Sequence, residues 1–209
     1  MKRGNLRRRD PDGEEGDGRR IWNTHFRAYS LRIFPGETRT TGAADEMLVT
    51  VLGSCVAACI RDPRTGFGGM NHFMLPQSDT GEWNGASAAL RYGNYAMEAL
   101  INTVLKSGCQ RQNLEIKVFG GADLTTGPTR IGTQNVEFVL RYLEFEGLAI
   151  AGADLGGPLG RRIHYFPVSG MVKRLLLKPI SGHSILAEEQ RYATALRRLP
   201  LEGAIELFE

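Results

Sequence analysis

Apolar and polar residues follow one another in short runs along this chain, and the runs predict an alternation of strands and helices. Phe26 to Ile33, Met47 to Val51, Val56 to Arg61 and Phe67 to Leu75 are brief, rich in branched and aromatic residues, and bounded by turn formers. They read as four strands, although the run after Gly53 is short enough to open a helix instead. The run Asp62-Pro63-Arg64-Thr65-Gly66 has hairpin chemistry and pairs the third strand with the fourth. From Ala88 to Ser107 the period changes, with Tyr92, Ala96, Leu100 and Val104 four apart and Gly108 as a stop, which is a helix.

Leu114 to Phe119 alternates as a strand and runs into Gly120-Gly121-Ala122. Gln134 to Glu146 is a second helix, with Thr133 as its N-cap and Gly147 as its stop. Leu148 to Asp154, Arg162 to Pro167 and Lys173 to Leu177 return to strand character, and Ile185 to Leu199 predicts a C-terminal helix. The order implies a single-domain α/β sandwich with a largely antiparallel sheet system flanked by two main helices. Three segments are expected: a charged, disordered tail over residues 1–20, a domain over 21–180, and a helical extension over 181–209.

Composition narrows the class of protein. With 209 residues, 42% hydrophobic and 23% charged, the chain is long enough for one full core. The net charge of +3 is concentrated at the start: residues 1–20 hold seven Lys or Arg against five Asp or Glu, leaving about +1 elsewhere. A nearly neutral body lacks the cationic face of a nucleic-acid binder, and Arg7-Arg8-Arg9 reads as a solvated tail. The apolar runs are too short for a membrane span or a signal peptide, so a cytoplasmic location and no membrane insertion are expected. The three cysteines are then expected to be reduced, and no second Cys or His cluster completes a zinc site.

The residues best suited to chemistry are Cys55, which leaves a Gly53-Ser54 turn after an apolar strand, and His72, which lies in the next apolar run but one turn away. An imidazole that takes the thiol proton turns a weak nucleophile into a strong one. Gly53 and Ser54 leave room for a substrate backbone, and freed N–H groups in such a turn suit an oxyanion. The Thr50 hydroxyl, just upstream, is placed to orient the imidazole or bind a carbonyl. Each also has a structural reading: a small buried thiol, a hydrogen-bonded core histidine, a strand-forming threonine. Cys59 and Cys109 read as packing residues, and His25, His164 and His183 as structural or surface residues. Gly120-Gly121-Ala122 and the stretch Asp154 to Arg161 match neither a P-loop nor a dinucleotide fingerprint, so tight turns account for their glycines, with Asp154 and Arg161 bracing a loop.

Five segments together resemble one known family. They are Leu52-Gly53-Ser54-Cys55-Val56-Ala57, Gly68-Gly69-Met70-Asn71-His72-Phe73-Met74-Leu75-Pro76, Lys117-Val118-Phe119-Gly120-Gly121-Ala122, Ile131-Gly132 with Asn135, and Asp154 with Gly156-Gly157 and Gly160-Arg161. In this order, over roughly Phe26 to Lys178, they are similar to the CheD family of chemoreceptor glutamine deamidases. The resemblance implies hydrolysis of receptor glutamine amides to glutamate with release of ammonia, without metal or cofactor. It implies Cys55 as nucleophile, His72 as general base and acid, and Thr50 as the third polar member. It also implies a fold related to the deamidase domain of cytotoxic necrotizing toxins, and two kinds of partner: methyl-accepting chemotaxis receptors and a CheC-type phosphatase. The rival expectations are a non-catalytic regulator that docks on such a phosphatase, and a thiol hydrolase of another class.

Overall fold

The computed structural model describes residues 20–75, 86–124, 130–177, 187 and 189–194. Among these residues, ten strands form two five-stranded sheets. The first contains β1 (Arg20–Asn23), β2 (Ala28–Arg32), β4 (Glu46–Leu52), β9 (Arg161–Phe166) and β10 (Met171–Leu176), in the order β1-β2-β4-β9-β10. The second contains β3 (Thr38–Thr41), β5 (Val56–Arg61), β6 (Gly68–Asn71), β7 (Glu115–Gly120) and β8 (Ile150–Leu155), in the order β3-β6-β5-β7-β8. Each sheet is mixed: β2 runs parallel to β4 and β7 parallel to β8, and the other named strand pairs are antiparallel. The largely antiparallel α/β sandwich expected from the sequence is therefore present, and the two parallel pairs are what that expectation lacked.

The central strand β5 shows how the layers are held. Its residues Val56 to Ile60 are all buried, as a strand covered on both faces must be. Val56, Ala58 and Ile60 point into a core shared with α1 (Ala86–Lys106) and α2 (Ile131–Phe145), while Ala57 and Cys59 point into a second core facing the other sheet. Leu48, Leu52, Ile163 and Tyr165 meet them there from β4 and β9. The stacking is thus sheet, sheet, helices. Burial of one Leu or Ile side chain in either core contributes about 1.5–3 kcal/mol.

The hairpin expected after Asp62 is formed, with Cys59, Ile60 and Arg61 opposite Met70, Gly69 and Gly68. Asp62 organises its turn by accepting from the Arg64 and Gln110 N–H groups. β1 and β3 were not expected, being short and, for β3, made of Thr-Arg-Thr-Thr; their pairing comes from β2 and β6. The second helix begins three residues before the expected Gln134, and Thr133 is not its cap. Asp123 supplies that function from the preceding loop, accepting from the Thr133 N–H at 3.2 Å and the Thr133 hydroxyl at 2.7 Å. Of the expected C-terminal helix, residues 189–194 are helical. The tail over residues 1–19, most of the loop Gln77 to Ala86, and the remainder of the C-terminal extension lie outside the described residues.

Candidate active site at the seam of the two sheets

A bridge between β5 and the segment after β6 places Cys55 and His72 on neighbouring positions. Val56 and Phe73 exchange both backbone hydrogen bonds, each at 2.9 Å. Cys55 therefore stands opposite Met74, and His72 opposite Ala57. Cys55 and His72 are diagonal neighbours on one face of the sheet, a relation in which Cα atoms lie roughly 7–8 Å apart. Alternation sends that face toward the first sheet, where Cys55, Ala57 and Met74 share a core. Both Cys55 and His72 are buried.

Thr50 reaches His72 from the other sheet. On β4, Leu48, Thr50 and Leu52 alternate inward, and Thr50 Oγ1 lies 2.8 Å from His72 Nδ1. The same hydroxyl donates to the Ile33 carbonyl oxygen at 2.9 Å. A threonine has one hydroxyl proton, so with that proton on Ile33 it accepts from Nδ1–H of the imidazole. This tautomer leaves the Nε2 lone pair available as a base. Nε2 is buried without a hydrogen-bond partner among the described residues. Burial pushes the ring down to about 3, against a smaller opposing effect of the Ile33 carbonyl, so the imidazole is neutral at ordinary pH.

The turn carrying Cys55 is fixed from three sides. Gly121 N–H donates to the Cys55 carbonyl at 2.7 Å, and Ala122 N–H to the Gly53 carbonyl at 2.7 Å. This approach explains Gly120, whose φ is +113° and whose Cβ, were there one, would lie 2.1 Å from the Cys55 oxygen. Buried Asn135 of α2 donates to the Ser54 carbonyl at 2.9 Å and accepts from the Leu75 N–H at 2.9 Å. One amide therefore ties the Cys55 turn to the segment that carries His72. Asn71 accepts from the Ala58 N–H and donates to the Ala96 carbonyl, joining β5 to α1.

So held, the turn aims its donors at one point. Gly53 N–H, Cys55 N–H and the Ser54 hydroxyl all donate to the carboxylate of Glu189, at 3.2, 3.0 and 2.7 Å. Such a cradle suits a carboxylate or the oxyanion of acyl transfer. Around it stand Tyr92 of α1 and Tyr192, whose hydroxyls are hydrogen-bonded to each other. Burial pushes the Tyr92 phenol up, with a smaller push from Cys55. Burial also pushes Tyr192 up, followed by Tyr92 and Cys55. Both phenols are thus within electrostatic reach of the Cys55 thiol.

All five residues singled out in the sequence, Thr50, Gly53, Ser54, Cys55 and His72, meet at this seam. Of the other cysteines, Cys59 shares the face and the core of Cys55, and Cys109 lies in the other core. Burial pushes the Cys59 thiol far up, and Cys109 packs beside Thr65 and Ser107. His25 and His164 stack on Phe26, and His183 lies outside the described residues. Arg161 braces its loop as expected, through Asp154 and the carbonyls of Gly156 and Leu159. Among the described residues no cluster of His, Cys, Asp or Glu could hold a metal ion. None of the described helices is long and apolar enough to cross a membrane.

Sequence reasoning missed Glu189, Tyr92 and the positioning part of Asn135. Asn135 had a readable signal: it interrupts the stripe Asn135, Phe138, Val139, Tyr142 and Leu143, the buried face of α2. A polar side chain on an apolar stripe is there to satisfy something buried. Glu189 had none, because it sits in an ordinary charged run, Glu188-Glu189-Gln190-Arg191.

Fold and site together define an α/β sandwich with a thiol, an imidazole and a hydroxyl at its inter-sheet seam. A family model described as CheD chemotactic sensory transduction matches residues 74–174. The chain is 48% identical over 190 residues to "Probable chemoreceptor glutamine deamidase CheD" of Rhodopseudomonas palustris (strain BisA53), covering 91% of this chain and 89% of that protein. It is 44% identical over 204 residues to the protein of the same name from Halorhodospira halophila, covering 95% and 94%. The chain belongs to the CheD family. Among solved structures, the Bacillus licheniformis hypothetical protein YfiH is similar with a TM-score of 0.39 at 10% identity, over 56% of this chain and 50% of that one. That likeness is too slight to bear on fold or function.

Proposed function

We propose that this protein is a chemoreceptor glutamine deamidase in which Cys55 is the nucleophile, His72 the general base and acid, and Thr50 the residue that orients His72. The observation that carries the reading is the Thr50–His72 hydrogen bond, which frees Nε2 on the face of the sheet that holds Cys55. His72 Nε2 takes the thiol proton, and the sulfur adds to Cδ of a substrate glutamine. The oxyanion that forms is held by the N–H groups of Gly53 and Cys55 and by the Ser54 hydroxyl. As the C–N bond breaks, the imidazolium protonates the departing nitrogen, which leaves as ammonia. Water, deprotonated by the same imidazole, then adds to the thioester; the C–S bond breaks and the thiol is restored. Glutamine and water have become glutamate and ammonia.

No step in this scheme calls on a metal or cofactor. The proposal sets the enzyme in the cytoplasm, with methyl-accepting receptors as protein substrates, a CheC-type phosphatase as a further partner, and kinship to the toxin deamidase domains. It treats residues 21–180 as the deamidase domain and the segments on either side as appendages. Intact-mass analysis of a receptor fragment incubated with the protein tests it. The fragment should gain the mass difference of OH over NH2 at each modified site, and Cys55→Ala and His72→Ala should abolish the gain while remaining folded. A gain that persists in Cys55→Ala sinks the mechanism. A chain that acts only by docking a phosphatase leaves the fragment's mass unchanged with every variant.

A further inference from the structure

The cradle beside Cys55 is filled by the chain itself. Glu189 is 6% exposed, and burying a carboxylate is costly unless donors meet it. The donors that meet Glu189 are the N–H of the nucleophile itself, the N–H of Gly53 and the Ser54 hydroxyl. One helical turn later, Tyr192 bonds to Tyr92. Its ring lies against Gly36, where a Cβ would come within 2.8 Å of the Tyr192 hydroxyl oxygen. Tyr192 and Ala193 pack on the same inter-sheet core that contains Cys55.

A glutamate carboxylate is the product group of glutamine deamidation, on a side chain of the same length. The donors that would hold the oxyanion of a substrate glutamine are the ones that hold this carboxylate. We propose, building on the deamidase reading, that residues 189–194 are an intramolecular product mimic: Glu189 occupies the place of the product side chain, Tyr192 clasps the segment to Tyr92, and a substrate must displace both to reach Cys55. The same posture asks of a substrate an apolar or aromatic side chain one helical turn beyond its glutamine, in the place of Tyr192.

Full-length protein, Glu189→Ala and Tyr192→Ala are to be compared on a helical receptor peptide that contains glutamine, together with the rate of Cys55 alkylation by iodoacetamide. An occupant in cis competes with substrate, so both variants should lower KM with kcat unchanged, by about tenfold if the site is open roughly a tenth of the time. Alkylation should accelerate in parallel. A lower kcat in Glu189→Ala makes Glu189 part of the machinery and overturns the proposal. Unchanged KM and alkylation in both variants overturn it too.

Glu189→Gln supplies a readout independent of receptor. Cys55 should add to Cδ of the introduced glutamine, expel ammonia with the proton carried by His72, and pass the acyl group to water, so that the chain recovers the wild-type mass. The double variant with Cys55→Ala should keep the mass of the glutamine form. Conversion in cis without deamidation of any receptor peptide would refute the receptor reading and uphold the occupancy. Deamidation of receptor without conversion in cis, and with unchanged kinetics in the other two variants, would refute the occupancy alone.

Discussion

His72 sits where two demands meet: a base must be neutral to accept a proton, and a histidine placed between sheets must avoid charge. Burial keeps the ring neutral by pushing it down to about 3 from its ordinary 6.5, which also weakens it as a base. The unfolded ring binds a proton near 6.5 and the folded ring near 3, so between these values the unfolded state holds the extra proton. Stability is therefore intact above the window and lost as pH falls through it, by up to about 1.4 kcal/mol per pH unit. Urea midpoints followed across the window should show a shallower slope for His72→Gln than for wild type; parallel slopes would contradict the assignment. Thr50 offers a separate test, because Thr50→Val keeps shape and removes the hydroxyl that holds Nδ1. Loss of orientation should lower kcat by about 10²-fold with little change in KM, read in single-turnover deamidation.

At the scale of elements, the Cys55 turn is held by strands and a helix far from it in sequence. Replacing Asn135 by Ala leaves the Ser54 carbonyl and the Leu75 N–H without their partner, at a cost of about 1–3 kcal/mol for each buried group. Thermal unfolding should show that loss, and, on the proposed roles of Cys55 and His72, deamidation should fall with it because the segments carrying both move. Gly120→Ala should be worse, since its φ is positive and the added methyl meets the Cys55 carbonyl. Chemical denaturation should then show a larger drop than it shows for Asn135→Ala. The strands bearing Thr50 and Cys55 were legible from their apolar runs, and Cys55, His72 and Thr50 from the chemistry they offer. The helix start at Ile131 was not, because its cap is Asp123, eight residues upstream. The contact of Thr50 with His72 was offered by their chemistry and is present, but that it spans two sheets follows from tertiary register that no local pattern encodes.

In the whole molecule, protection is uneven. β5 is buried on both faces and paired on both sides, whereas β1 and β10 are edge strands with mostly exposed residues. Hydrogen exchange should proceed last in β5 and first in β1 and β10; uniform exchange would show that the sandwich opens as one unit. Glu189 was invisible at this scale too, since nothing in a charged run marks it as the tenant of a distant turn. The Thr50–His72 bond has one more consequence. Thr50 and His72 belong to different sheets, so the reading of Cys55 and His72 as a reacting pair makes activity contingent on completed assembly. A nascent chain that has folded only one layer carries a thiol without a properly aimed base. It is chemically quiet, and the glutamines of neighbouring proteins are spared until the two halves have closed on each other.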